Sequence, residues 1–473
     1  MAGKSKKIEM GCGGLNVQVE LFRNMIAGKR VALVGLGVSN LPLVPFLSDL
    51  GAVLTCCDRR AEHDFEPDVL QMLQTHASQL HLGERYLDFL DGQEFILKSP
   101  GLRPDLPQFV SAVEHGATLT SEMELFLSVC PAPVIGVTGS DGKTTTTTLI
   151  YEILKKQGYK CWVGGNIGNP LLHQIEKIDE KDFVVVELSS FQLQTMHVSP
   201  TVAVITNLAP NHLDWHRTFD EYIDAKANIF RFQDNNCRLV VNADNSITAK
   251  LGKGAPSDVY AFSVKKCVEK GAYLKDDMLY FDGQPVIRRS DILLPGMHNV
   301  ENYLAAICAV RHAVDDIAIR NVAESFTGVA HRMEFVREFR GVKFYNDSIA
   351  SSPSRTIAGL KAYHQKVILI AGGYDKKIPY DPLGPVIKEH VKALLLIGAT
   401  GNLIRRAVEA AYGEEEELLP ILQGSDMEYA VRSALTLARE GDIVVLSPAS
   451  ASFDMYKNFE ERGNQFKEIV NSL

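Results

Sequence analysis

Short apolar runs rich in β-branched residues alternate with longer stretches of helical periodicity along almost the whole chain, the pattern of parallel α/β units. Three of these runs feed directly into a glycine-containing loop. They are Arg30–Asn40 (RVALVGLGVSN), Val134–Thr145 (VIGVTGSDGKTT) and Val367–Lys377 (VILIAGGYDKK). Each opening predicts the first strand of a separate sheet. Breaks are expected near Ser121–Pro133, where two prolines precede the second opening, and near Gly328–Arg332. The expected fold is α/β in three domains, over residues 1–122, 123–328 and 329–473. Within the middle one, Lys265–Arg289 reads as a β-rich excursion with turns at Lys275–Asp277 and Asp282–Gly283. No internal repeat or low-complexity tract interrupts the pattern.

Length agrees with several domains, since 473 residues exceed what one growing core accommodates. The balance of 46% hydrophobic and 23% charged residues is that of an ordinary globular protein. A formal net charge of -9 argues against a nucleic-acid role resting on bulk electrostatics. Met1–Lys7 is basic, but no apolar h-region follows, so no secretory leader is expected. No stretch approaches the ~20 apolar residues of a membrane span. The eight cysteines are scattered, with Cys56 and Cys57 adjacent and no CxxC pair, which fits neither a zinc cage nor a disulfide framework. A reducing cytoplasm is the expected compartment, and a monomer the expected form.

The second opening carries candidate chemistry. Gly139-Ser140-Asp141-Gly142-Lys143-Thr144-Thr145 follows an apolar strand and opens a helix expected to reach about Gln157. Small residues let backbone N–H groups close around phosphate oxygens at a positive helix N-terminus; Lys143 can reach the β/γ-phosphates and Thr144 can offer a hydroxyl to Mg²⁺. The spacing departs from a standard P-loop, because Val137 stands where the first glycine belongs. The bland alternative is a glycine-rich turn capped by a lysine. It leaves the run Thr144–Thr148 unexplained, since threonine is poor helix material.

Three further candidates follow. Glu187 ends the run DFVVVE, where a parallel strand delivers a carboxylate to the sheet's C-terminal edge. His212 lies in NHLDWH after the strand expected over Val202–Asn207, and Lys226 lies on a helix in DAKANIF. Mg²⁺ prefers oxygen ligands, so Glu187 suits it better than the histidine does. Taken singly, these residues also read as a surface glutamate, a loop hydrogen-bonder and a solvated helix lysine.

Together the segments TGSDGKTT, VELSSFQL, NHLDWH, KANIF, PGMHNVENYLAA and AHRMEF resemble the Mur ligase family, which includes folylpolyglutamate synthases; the resemblance runs in order over nearly the whole chain. Three features point to the member type that adds D-glutamate to UDP-N-acetylmuramoyl-L-alanine. They are the GLGVSN opening, Tyr345-Asn346-Asp347-Ser348, and the ending LSPASASFD through Phe459-Glu460-Glu461-Arg462-Gly463. The DNPR-like motif usual in relatives that add diaminopimelate or lysine is missing. The resemblance implies an ATP-dependent ligase of peptidoglycan precursor synthesis. Its first and last domains would be Rossmann-like and its middle one a P-loop-type ATPase.

The same resemblance implies the site. Lys143 and Thr144 would hold ATP and a first Mg²⁺, and Glu187, His212 and a CO₂-carboxylated Lys226 a second. Asn299 and Asn302 would lie near the nucleotide, with Arg332 and Asp347 closing over it. Asn166 would lie near the muramoyl substrate, and Ser351, Lys376, Ser452 and Phe459 would surround D-glutamate. In the first domain Gly35-x-Gly37-x-x-Asn40 with Asp58 half-matches a dinucleotide fingerprint whose third glycine is absent. The resemblance assigns it to UDP, with Ser39, Asn40, Asp58, Arg59 and Ser99 as contacts. One departure stands out. Many relatives have Lys-Ala-Thr after the Asp-Ser pair, whereas this chain has Ile349-Ala350-Ser351, so Ile349 takes no role.

Three rivals share parts of the pattern. A folylpolyglutamate synthase has the ATP site but no need of the GLGVSN domain. A P-loop switch protein would hydrolyse ATP without an amino acid. A nicotinamide-dependent oxidoreductase would gain nothing from the GKTT loop.

Overall fold

The apolar runs become the strands of three sheets in a computed structural model that describes residues 16–212, 215–294, 296–375, 378–413 and 416–473. The first sheet holds β1 (Arg30–Val34), β2 (Val53–Asp58), β3 (Gln79–Leu82), β4 (Phe95–Lys98) and β5 (Thr118–Thr120). Its order is β3-β2-β1-β4-β5, all parallel. The chain reverses its direction of travel between β1 and β4, which opens a crevice at their C-terminal ends.

The second sheet contains β6 (Val134–Thr138), β7 (Cys161–Gly165), β8 (Phe183–Glu187), β9 (Val202–Ile205), β10 (Arg238–Asn242), β11 (Asp258–Ser263), β12 (Gly271–Lys275), β13 (Met278–Phe281) and β14 (Gln284–Arg288). The order β14-β13-β12-β11-β10-β9-β6-β8-β7 puts β6 between β9 and β8, the equivalent switch point. Among the described residues only the pairs β12–β13 and β13–β14 are antiparallel, and these three strands form the expected β-rich excursion. Every residue of β6 is buried, as a strand covered on both faces requires.

These two sheets belong to one compact unit that ends at Phe326. The expected break at Ser121–Pro133 carries a helix, Glu122–Val129, with six of its eight residues buried. Ser121 caps it, accepting from the Glu124 amide at 3.2 Å. Met123, Leu125 and Phe126 join one apolar cluster that runs from Val31 and Leu33 of the first sheet to Val184 and Val186 of the second. The helix at the expected break is thus packed into the core.

The second unit, Thr327–Leu473, holds β15 (Glu334–Phe339), β16 (Val342–Asn346), β17 (Val367–Ala371), β18 (Val391–Leu396), β19 (Ile421–Gln423) and β20 (Ile443–Leu446). Their order is β15-β16-β20-β17-β18-β19, parallel except for the β15–β16 hairpin. Its crevice lies where β17 and β20 end side by side. Among the described residues no helix is long and apolar enough to cross a membrane.

Candidate active site

The loop after β6 lies on the segment that leaves β9. The Ser140 amide donates to Asn207 O and the Asp141 amide to Asn207 Oδ1, both at 2.9 Å, while the Thr206 hydroxyl donates to Asp141 O at 2.5 Å. Gly142 caps the helix Lys143–Gln157 with φ 77°, and a Cβ there would lie 2.4 Å from Asn302 Oδ1. Both facts demand glycine. Asn302 also binds the Thr146 hydroxyl at 3.2 Å and Asn299 Oδ1 at 3.3 Å, which fastens the helix Met297–Val310 to the start of the phosphate-loop helix.

Lys143 bends back so that Nζ donates to Gly139 O and Ser140 O, each at 2.9 Å. A phosphate entering at this helix N-terminus therefore competes with two carbonyls for the ammonium. Thr144 is buried at the helix start and Thr145 half-buried. The Ser140 hydroxyl is engaged within the protein: it accepts from the Ala209 amide at 2.9 Å and lies 3.0 Å from Tyr222 Oη.

Glu187 ends β8 beside β6 and is 1% exposed. Its Oε1 accepts from Asn166 Nδ2 at 2.7 Å, and the Asn166 amide donates to Glu187 O at 2.8 Å. Its Oε2 is buried with no hydrogen-bond partner among the described residues. Lys226 is also 1% exposed; Nζ donates to Thr138 Oγ1 at 3.0 Å and sits 4.9 Å from the Tyr222 ring centre. Burial, helped by the Lys143 charge and opposed by Glu187, holds its pKa well below the usual lysine range. Lys143 and Glu187 thus both lie within electrostatic reach of Lys226.

His212 is exposed, with φ 54° and its ring edge-on to Phe191 at 5.0 Å. Nearby His216 is fully buried, 2.9 Å from Ser190 Oγ, and burial lowers its pKa. Among the described residues no three His, Cys, Asp or Glu side chains gather as a ready metal cage. The oxygens that are present suit a hard cation: a carboxylate oxygen with no partner among the described residues and hydroxyls at Thr138 and Thr144, beside an amine shifted toward neutrality.

At the first crevice, a Cβ on Gly35 would lie 2.7 Å from Ser99 Cβ, whereas Gly37 faces open space. Asp58 accepts from the Leu36 amide at 2.6 Å and pairs with Arg60 at 3.0 Å; Arg59, the neighbour singled out by sequence, is exposed. Asn40 is buried, and its Nδ2 donates to Val34 O, Gly35 O and Leu97 O, so it ties the loop to β4. Ser39 is half-buried on the same loop.

In the second unit, Asp347 follows β16, accepts from Ser447 Oγ at 2.9 Å and from the Met333 amide at 3.3 Å, and has its pKa pushed up to about 6 by burial, against the Arg332 and Arg355 charges. Arg332 is exposed. Ser351 is half-buried, its hydroxyl donating to Ile349 O at 3.3 Å. Ser452 is 3% exposed in the loop after β20, and the half-buried Phe459 ring meets His331 edge-on at 5.9 Å. Lys376 lies outside the described residues.

Two groups escaped the sequence reading. Asn207 and Thr206 leave β9 at the edge where Glu187 leaves β8, so the strand-end rule would have found them. Arg462 is 1% exposed and donates to Ser348 Oγ and O and to the carbonyls of Ser450 and Ala451 at 2.8–3.1 Å, fastening both loops of this crevice. Its sequence context is that of a solvated helix face.

The chain matches family models for the Mur ligase middle domain over residues 137–310, the Mur ligase glutamate ligase domain over 331–450 and the MurD-like Mur ligase N-terminal domain over 29–121. It belongs to the Mur ligase family. Among curated relatives, the UDP-N-acetylmuramoylalanine–D-glutamate ligase of Acetivibrio thermocellus is 55% identical over 465 residues, covering 97% of this chain and 100% of that protein. The ligase of the same name from Clostridium novyi is 53% identical over 452 residues, covering 96% and 98%. Of solved structures, the UDP-N-acetylmuramate–alanine ligase of Thermotoga maritima shares the fold, with a TM-score of 0.55 at 18% identity over 94% of this chain and 99% of that one.

Proposed function

We propose that the chain is the ATP-dependent ligase that adds D-glutamate to UDP-N-acetylmuramoyl-L-alanine in peptidoglycan precursor synthesis. The observation that carries this reading is a buried lysine of weakened basicity that feels both the phosphate-loop lysine and a buried carboxylate, one of whose oxygens has no partner among the described residues. The near-full-length relatives supply the choice of substrates.

In the proposed reaction the alanyl carboxylate attacks the γ-phosphorus of ATP, and the bond to the ADP oxygen breaks. The D-glutamate amine then attacks the acyl carbon, loses a proton, and phosphate leaves with the acyl C–O bond's electron pair. Such transfer asks the protein for positioning and charge neutralisation, not for a nucleophile. Lys143 with Gly139–Thr145 takes the phosphates, Asn299 and Asn302 shape the nucleotide side, and Arg332 and Asp347 are its assigned partners from the last domain. Mg²⁺, when bound, neutralises phosphate charge; Thr144, Glu187, His212 and Lys226 would hold it in two sites. For Lys226 the proposal includes carboxylation: a neutral amine adds CO₂ and releases a proton, which makes the oxygen ligand that Mg²⁺ prefers. The first crevice, with Gly35, Gly37, Ser39, Asn40, Asp58, Arg59 and Ser99, takes the UDP moiety, and Asn166 the muramoyl part. Ser351, Lys376, Ser452 and Phe459 take D-glutamate.

The proposed division is 1–122 for the UDP substrate, 123–328 for ATP and 329–473 for the amino acid, in a cytoplasmic monomer. Phosphate release from ATP, measured with each substrate alone and with both together, tests the reaction. Release that needs both, with D-glutamate and not L-glutamate as the partner, is expected; release independent of the amino acid would refute it.

A further inference from the structure

A cluster of charges outside the candidate site ties the first sheet to the second. The loop that leaves β4 at Ser99 sets Arg103 and Asp105 against Trp215–Glu221, the approach to the helix Phe219–Arg231. The Arg103 guanidinium grips Asp105 through two bonds of 2.8 and 3.0 Å. It also reaches Glu221 Oε1 at 3.2 Å, donates to Trp215 O, and lies 5.9 Å from the Trp215 ring centre. Arg217 pairs with Asp105 from the other side. Glu221 is the hub, since it also accepts from Gln194 Nε2 at 2.9 Å and from the Arg217 amide at 2.6 Å. Arg103 and Glu221 are only 23% and 25% exposed, so their attraction is screened less than that of a surface pair.

The two ends of this clasp have different neighbours. One continues the strand exit where Ser99 packs on Gly35. The other lies between His212 and Lys226, and Glu221 shares a helix with Lys226, whose ammonium reaches Thr138. A helix is rigid over this length, so a force on its first turn is carried to Lys226.

We propose that Arg103 is a positioning residue. Through Glu221 it passes the filling of the first-sheet crevice by the nucleotide-linked substrate to the segment that carries His212 and Lys226. This inference rests on the reading that the crevice takes the UDP substrate. Ordering of the loop Ser99–Asp105 around the ligand holds Trp215–Glu221 in place, and the ATP side is completed only when the acceptor is present.

Hydrogen exchange with UDP-N-acetylmuramoyl-L-alanine, without ATP or metal, is the test. Both Gly35–Asn40 and Trp215–Glu221 are expected to exchange about fivefold slower on adding the substrate. In Arg103→Ala, and separately in Glu221→Gln, the first protection stays and the second is lost. In each variant kcat falls about tenfold with KM for ATP unchanged, and the double variant is no worse than the weaker single one. Protection of Trp215–Glu221 that survives in both variants overturns the clasp. Absence of protection at Gly35–Asn40 in the unaltered protein overturns the substrate reading, and the clasp with it.

Discussion

Replacing Glu122 by Gln should abolish the pH dependence of one part of the protein's stability. Glu122 opens the buried helix between the first two sheets, and its Oε1 accepts from the Leu171 and Leu172 amides at 3.0 Å each. Those residues follow the turn that presents Asn166 to Glu187. Burial pushes the Glu122 carboxyl from its ordinary 4.5 up to about 6, and the two amides only partly offset it. A folded-state pKa above the unfolded one gives stability that is complete below pH 4.5 and lost as pH rises through about 6. The difference corresponds to ~2 kcal/mol. Gln keeps an acceptor oxygen for both amides and cannot ionise, so it does not suffer this loss. The gap in Tm between variant and unaltered protein should widen in the variant's favour by about 3 °C between pH 4.5 and 7.5. Asp347, also pushed to about 6, cancels because both proteins carry it. Thermal melts at closely spaced pH values provide the measurement, and parallel Tm curves would refute the account.

The other expectations concern the candidate site. Lys143→Ala should lower kcat on the order of 10²–10³-fold while the melting curve is kept, as checked by phosphate release at saturating ATP. Lys226→Ala should be inactive and regain part of its rate with added short carboxylic acids, whereas Lys226→Arg, cationic and still filling the space, should not respond. Asp347 ionises only above about 6, so kcat/KM for ATP should fall as pH drops through that value. In Asp347→Asn that acid limb should be missing from the pH–rate profile.

The strands were legible where burial on both faces leaves little choice of residue: β17 occupies Val367–Ala371 as expected, and the helix Lys143–Gln157 is closed by glycine at both ends. The helix Glu122–Val129 was hidden by the two prolines after it, although Ser121-x-x-Glu124 before an apolar run is a helix-start pattern in its own right. Which of two adjacent arginines meets Asp58 depends on how the chain turns after β2, and it is Arg60. Arg462 shows the same limit from another side. Its four bonds join loops more than a hundred residues apart in sequence, and no local pattern encodes that.

The two lysine expectations are coupled. Lys143 is the largest charge effect that lowers the Lys226 pKa, second only to burial, while Glu187 opposes it. Removing the Lys143 charge therefore moves Lys226 back toward the protonated state, and an ammonium cannot take up CO₂. Lys143→Ala should deplete carboxylated Lys226 as well as the phosphate contact, a loss visible as a weaker carbamate carbon signal under ¹³CO₂ even without ATP. Its catalytic deficit then contains part of the Lys226 deficit, so the two single effects overlap and the double variant falls short of their product. A carbamate signal of unchanged intensity in Lys143→Ala would separate the residues: Lys143 would act on the phosphates alone, and burial by itself would account for the lowered Lys226 pKa.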